Sequence, residues 1–249
     1  MFEWNRIESL NELEMRVYSY VLAHTDQVGR MKIRELAEAT HVSTSTILRF
    51  CGKLGCEGYS EFRYRLKDVP QQDHADRYQN YAKQMIDFLQ SASSDSDLEL
   101  RLAEASRIIC SAQRVIFYGL GSSGALCQYG ARFFSNVGVY SVFMNDPFYP
   151  RPGNYFDQAV LFVLSVSGET KQVIEQISEY KRKNVAVISI CNSDQCTVAR
   201  MSDLHFATYM PALRSYGETN DVDLTPQVPV LYLLETLGRR LAHDLNQQK

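Results

Sequence analysis

The chain has few of the features that mark membrane, metal-binding or secreted proteins. No apolar run approaches the roughly 20 residues a helix needs to cross a bilayer, so no membrane partner is expected. The opening residues, Met1-Phe2-Glu3-Trp4-Asn5-Arg6, lack the charged and apolar series of a signal peptide, and the expected location is cytoplasmic. Six cysteines (Cys51, Cys56, Cys110, Cys127, Cys191, Cys196) form no C-x-x-C pair and have no histidines at zinc spacing. That disfavours metal sites and disulfides, leaving free thiols that pack as small apolar groups. There are no internal repeats and no low-complexity tracts. Net charge is also scarce: 26 bases against 29 acids give −3, too balanced for a chain coated in nucleic acid.

That average hides an asymmetry. Between Val28 and Lys67 the chain carries eight bases, among them Arg30, Lys32, Arg49 and Lys53, against four acids. A basic patch in an acidic protein implies one local contact with a polyanion. A length of 249 residues suits one large domain or two modest ones. The periodicity favours two. Apolar residues at helical spacing predict a helix from about Leu10 to His24 and another from Ile33 to Thr40. After the turn His41-Val42, a third helix follows the cap-rich Ser43-Thr44-Ser45-Thr46, carries Ile47, Leu48, Phe50 and Leu54, and stops near Gly55. A short helix from Ser60 to Leu66 completes an all-α domain, 1–67. Residues 68–76, polar and containing Pro70, read as a linker.

A helix, a tight turn and a helix that opens on small polar residues describe a helix-turn-helix. Such a motif needs side chains near the start of the second helix that reach bases and phosphates. Thr44, Ser45 and Thr46 supply hydroxyls, Arg49 suits a guanine edge or a phosphate, and Lys53 falls on a similar face. Arg30 and Lys32 are placed to clamp the DNA backbone from the side. The run from Leu36 to Gly55, with Gly58-Tyr59-Ser60-Glu61-Phe62 after it, resembles the N-terminal domain of the RpiR family of bacterial regulators. That resemblance implies double-stranded DNA as a partner.

From residue 77 the expected second domain, 77–249, begins with two helices, about 77–91 and 97–110. Five short β-branched runs follow, near 115–118, 140–143, 159–164, 185–190 and 204–208, with helical segments between several of them. Continuous apolar strands alternating with helices predict a parallel five-stranded sheet covered on both faces. A last amphipathic helix is expected from about Gln227 to Leu245. Two loops stand at strand-to-helix junctions: Gly119-Leu120-Gly121-Ser122-Ser123-Gly124, and Ser165-Val166-Ser167-Gly168-Glu169-Thr170. Glycines allow close backbone approach, and hydroxyls with helix-start amides favour an anion beyond the carboxyl ends of the strands. The pair resembles the SIS (sugar isomerase) fold. By that resemblance Ser123, Ser165, Ser167 and Thr170 hold the phosphate of a sugar phosphate, with Ser122, Gly168 and the Gly121 backbone beside them. Glu169 either joins that site or caps the following helix.

Two other readings compete. Gly119, Gly121 and Gly124 satisfy G-x-G-x-x-G, and Asp146 stands where a ribose-binding acid belongs, as in an NAD(H)-sensing repressor. That reading gives no role to Ser165–Thr170. A sugar-phosphate isomerase would need a general base, for which Glu218, Glu235 and His243 are the candidates by residue type, and nothing in their surroundings marks them. The expectation is therefore a regulator without catalysis, cofactor or metal. The loop from Asn145 to Asp157, with Phe148, Tyr149 and Tyr155, suits a sugar pocket or a subunit contact, and Arg214 and Ser215 are placed to approach the ligand. Two-fold reading of DNA implies a homodimer or a dimer of dimers.

Overall fold

The computed structural model describes residues 6–7, 9–67, 74–144, 146, 148, 155–210, 214–216 and 221–247. By contact the chain divides into two compact units, 1–94 with 209–226, and 95–208 with 227–249.

Among the described residues up to 94 the first unit carries the helices α1 (Glu12–Ala23), α2 (Thr25–Val28), α3 (Ile33–Ala39), α4 (Thr44–Lys53), α5 (Tyr59–Lys67) and α6 (His74–Ser94). Helix α1 starts at a capping box. The Asn11 side chain accepts the Glu14 N–H at 3.0 Å, and the Glu14 carboxylate accepts the Asn11 N–H at 2.9 Å. The turn from α3 to α4 closes with bonds from His41 N to Glu38 O and from Val42 N to Ala37 O, with His41 in the left-handed region at φ 52°. Ser43 caps α4 by accepting the Thr46 N–H, and the helix ends in a Schellman turn, Cys56 N to Cys51 O and Gly55 N to Gly52 O. Leu36, Ile47, Phe50, Cys51, Leu54 and Phe62 are buried where α3, α4 and α5 meet. Leu48 departs from the expected apolar set of α4: it is 50% exposed, on the side opposite that core.

Of the linker expected at 68–76, residues 74–76 are helical and the rest, Pro70 included, lie outside the described residues. The first of the two helices expected ahead of the sheet, α6, groups with the N-terminal unit. Asp95 separates it from α7 (Ser96–Cys110) by accepting the Asp97 and Leu98 N–H groups, which starts a new helix there.

The second unit continues as β1 (Arg114–Tyr118), α8 (Gly121–Asn136), β2 (Ser141–Met144), β3 (Ala159–Ser165), α9 (Lys171–Arg182), β4 (Ala186–Cys191), α10 (Thr197–Met201) and β5 (Leu204–Ala207). After β5 comes a feature that sequence periodicity does not reveal, a hairpin of β6 (Arg214–Tyr216) and β7 (Asp221–Asp223), which groups by contact with the first unit. The chain then returns to the second unit and closes with α11 (Val228–Gln247). The five-stranded sheet is parallel throughout, in the order β2-β1-β3-β4-β5.

Strand β3 is buried at every residue, so its side chains serve both faces of the sheet in alternation. Phe117, Val160, Phe162, Leu164, Ile188 and Ile190 pack with α7, α8 and α11. Ile116, Tyr118, Leu161, Val163 and Val187 pack with α9 and α10 on the opposite face. Phe117, Phe134 and Phe162 form an aromatic cluster, with ring centroids 4.9–6.0 Å apart, that ties β1, β3 and α8 together. Tyr155 packs against Phe156 and Tyr180 in the second core, which makes it a packing residue and not a pocket wall. Tyr149 lies outside the described residues, and Phe148 is 89% exposed.

All six cysteines are free, and five are buried; burial pushes the Cys51 thiol up to about 12. On the edge strand, His205 Nδ1 lies 2.8 Å from the hydroxyl of the fully buried Ser189. Burial pushes the His205 pKa down to about 4, against the opposing pull of the Ser193 backbone and the Asp194 carboxylate. The neutral ring is thus the form that fits the fold. Its contribution is complete above the unfolded value near 6.5 and is lost as pH falls from there through 4. Chemical unfolding across that window should show a steeper loss of stability with acid for the native protein than for His205→Gln. Equal slopes would mean that His205 titrates as if exposed.

Candidate functional site

The structure presents two sites, one in each unit. The first is the exposed face of α4. Thr44, Ser45, Leu48, Arg49 and Gly52 are exposed on it, while Ile47, Phe50 and Cys51 point inward. Arg30 and Lys32 are also exposed. Two residues expected on the DNA side serve the fold instead. Thr46 is 3% exposed, its hydroxyl 2.9 Å from Ser43 Oγ and 3.4 Å from Arg49 Nη2, which makes it part of the helix start. Lys53 turns sideways: its Nζ donates to Ser9 O at 2.6 Å and to Glu14 Oε2 at 2.7 Å. Glu14 is 1% exposed, so Lys53 compensates a buried carboxylate, the position on the helix edge bringing it against α1. Serine hydroxyls at 43 and 45 stand 2.7 Å apart at the helix start.

The second site lies at the carboxyl end of the sheet. In the order β2-β1-β3-β4-β5 the chain runs from β1 outward to β2 and then back across to β3, so the crevice between the ends of β1 and β3 is the switch point where open α/β sheets bind ligands. Both sequence-predicted loops open there. A Cβ on Gly119 would meet the Leu164 carbonyl at 2.9 Å and Cys127 Sγ at 2.8 Å, so this backbone contact between the two strand ends requires glycine. Gly121, at φ 56° and with open space around it, turns the chain into α8. Ser122 is exposed and Ser123 is 6% exposed.

In the other loop, Ser165 is 6% exposed, and its hydroxyl accepts the Gly168 N–H at 3.2 Å. Gly168 itself is buried at φ 64°, over Cys196 and Cys191. Ser167 is exposed, its Oγ accepting the Glu169 N–H, and Thr170 is half-buried. Glu169 does not cap the helix that follows it. Its two oxygens accept the N–H and hydroxyl of Thr197 at 2.7 and 2.8 Å, at the start of α10. Thr170 precedes α9 without a side-chain cap bond, and Leu120 precedes α8 in the same way. Two helices, of 16 and 12 residues, thus begin beside the crevice without a side-chain cap.

The residues the rival readings depend on are occupied elsewhere. Asp146 is exposed and accepts the Phe148 N–H at 2.8 Å, a local turn. Glu235 accepts the Tyr129 hydroxyl at 2.8 Å, and Tyr129 lies eight residues along α8 from Gly121, about 12 Å at 1.5 Å per residue. His243 is exposed and bonded to Gln247. Glu218 and the side chains of Arg214 and Ser215 lie outside what the structure describes. Among the described residues no cluster suits a metal ion, and no helix is long and apolar enough to cross a membrane.

A family model for the helix-turn-helix domain of the rpiR family matches residues 4–73, and one for the SIS domain matches residues 108–220. The chain belongs to the RpiR family. The HTH-type transcriptional regulator GlvR of Bacillus subtilis is 27% identical to this RpiR protein over 215 residues, 83% of this chain and 82% of GlvR. HexR of Escherichia coli is 24% identical over 246 residues, 88% of this chain and 83% of HexR. Among solved structures, the Vibrio vulnificus NanR protein complexed with ManNAc-6P matches with TM-score 0.58 at 24% identity, over 97% of this chain and 90% of NanR. The c3406 protein of E. coli CFT073, in complex with another sugar phosphate, matches with TM-score 0.53 at 22% identity, over 70% of this chain and 94% of its own. This chain is therefore an RpiR-type helix-turn-helix regulator with a SIS domain.

The different roles of the two α4 bases are separable by measurement. Lys53→Ala leaves the Glu14 carboxylate buried without its cation and should cost about 1–3 kcal/mol in denaturant unfolding, whereas Arg49→Ala should leave stability within about 0.5 kcal/mol. Equal, small effects of the two substitutions would contradict the structural role given to Lys53.

Proposed function

We propose that this regulator binds operator DNA sequence-specifically through the exposed face of α4, and that a sugar phosphate held between the loops after β1 and β3 controls that binding at genes of sugar uptake or catabolism. The observation that carries the sensing half is the pairing of two helix starts, α8 and α9, without side-chain caps at the switch point, with hydroxyls around them. Each helix start presents N–H groups that no side chain caps, and roughly half a positive charge, to an anion. Ser122, Ser123, Ser165, Ser167 and Thr170 add hydroxyls, and Gly121 and Gly168 keep the backbone free of side chains. No lysine or arginine occurs in either loop. Lys171, the first base after them, is 85% exposed. Such a site suits a phosphate monoester and leaves the sugar to be chosen by the surroundings. NanR and c3406, which share the fold, each hold a sugar phosphate in their own structures, ManNAc-6P in the case of NanR, which supports this ligand class.

On the DNA side Thr44, Ser45 and Arg49 contact the major groove, with Arg30 and Lys32 on the phosphates. The protein acts as a cytoplasmic homodimer or dimer of dimers, with residues 1–67 reading DNA, the stretch between Lys67 and α6 as the joint, and the sheet-bearing unit sensing. It acts as a regulator and not as an enzyme, a reading supported by the transcriptional regulators GlvR and HexR among its relatives. The ligand changes DNA affinity because it binds the two arrangements of the dimer unequally.

Thermal unfolding against a panel of sugar phosphates, with NAD and NADH included, tests the sensing half. At a hundredfold excess over its dissociation constant, a ligand stabilises the native state by about 2.7 kcal/mol. The midpoint should rise with one sugar phosphate, and the rise should vanish in Ser123→Ala and Ser167→Ala. A rise with the dinucleotides alone would replace this reading with that of a redox repressor.

A further inference from the structure

The DNA-facing side of α4 carries two residues that the fold does not explain. Leu48 is 50% exposed, while the other large apolar residues of the helix are buried: Ile47 and Phe50 at 0%, with Leu54 just after it at 1%. Exposed leucines also occur elsewhere in the chain, at Leu13, Leu89 and Leu100, and Leu48 is set apart by its place on the helix-turn-helix surface beside Arg49. At 100° per residue, Leu48 and Gly52 lie in the middle of the exposed strip, with Thr44 to one side and Ser45 and Arg49 to the other. Gly52 is the second anomaly. A glycine inside a helix lowers its stability relative to alanine. Nothing lies within 4 Å of where its Cβ would be, and its φ is not positive, so neither packing nor backbone geometry requires it. Helix α4 contains no acidic residue, and Arg49 flanks the strip, so the surface that approaches this leucine is a negatively charged one.

The geometry points to Leu48 as a sequence-determining contact: it packs on the C5-methyl group of a thymine in the major groove, and Gly52 removes the side chain that would hold the helix away from that groove. The inference rests on the DNA-reading half of the proposed function and adds to it the base that is read and how. The major groove exposes the methyl of thymine alone among the four bases, and an aliphatic side chain distinguishes it by burial, without a hydrogen bond. A neighbouring Arg49 reaches a guanine edge or a phosphate from the same face, so an apolar and a polar reader stand within one helical turn. Burying one methyl corresponds to about a fourfold change in affinity.

The test uses the full-length protein and an operator obtained by in vitro selection from random duplexes. Each thymine of the selected site is then replaced singly by deoxyuridine, which removes only the methyl. The native protein should lose about fourfold in affinity at one thymine, and Leu48→Ala should bind the thymine and uracil duplexes equally while keeping the native unfolding midpoint. Gly52→Ala should raise the unfolding midpoint and yet weaken operator binding severalfold, a combination that a purely structural glycine does not give. If selection yields no preferred sequence, the DNA-reading proposal falls and this one with it. If a site is selected but no deoxyuridine substitution matters, or the same loss persists in Leu48→Ala, the methyl contact is overturned and the DNA-reading proposal stands.

Discussion

The α/β unit is organised around the approach of two strand ends. Where β1 gives way to α8, Gly119 lies so close to the Leu164 carbonyl of β3 that no side chain fits between them. That contact sets the two loops side by side. It follows from parallel pairing, which places Tyr118 opposite Val163 and carries both strands into the same crevice. Burial of β3 on both faces keeps the pairing rigid, since a shift of one residue would exchange its two apolar sets between the cores. The hydroxyls and amides of the two loops are therefore placed by the sheet and not by the loops themselves, the preorganisation that the proposed binding of a small, strongly hydrated anion demands.

The DNA-reading unit depends on a different economy of side chains. A small domain of short helices offers little buried area, and it uses polar groups to fix helix ends. Glu14 is the clearest case: one carboxylate completes the cap of α1 and anchors Lys53 of α4, so α4 is tied to α1 by a buried charge. Tyr59 and Arg63 both donate to the Met31 carbonyl, joining α5 to the turn before α3. What remains exposed on α4 is a narrow strip whose composition folding does not determine.

Much of this was legible in the sequence where the signal is local. Apolar β-branched runs gave the five strands, and the cap-rich run Ser43-Thr44-Ser45-Thr46 gave the start of α4 to within a turn. The two glycine- and serine-bearing loops identified the switch point, because both stand directly after strands that became neighbours. The signal failed where a partner is distant. Lys53 looked like an outward base because Glu14 is 39 residues away in the chain. Glu169 looked like a member of the site or a cap for α9, and its partner Thr197 belongs to a helix 28 residues on. Leu48, grouped with Ile47, Phe50 and Leu54 among the apolar residues of α4, is turned outward because the 100° step separates it from Ile47. The hairpin of β6 and β7 has three residues per strand and no apolar alternation, so period-2 reasoning had nothing to detect.

The central claim is that occupancy of the crevice between β1 and β3 sets DNA affinity, and fluorescence anisotropy of a labelled operator duplex tests it most directly. The duplex is titrated with the full-length protein in the absence and presence of each sugar phosphate, and again with Gly168→Val, in which a branched side chain meets Cys196 and fills the loop. The account predicts that one sugar phosphate changes operator affinity by about 5- to 150-fold, and that Gly168→Val binds the operator but no longer responds. Operator binding that no sugar phosphate alters, or a response that survives Gly168→Val unchanged, would contradict it.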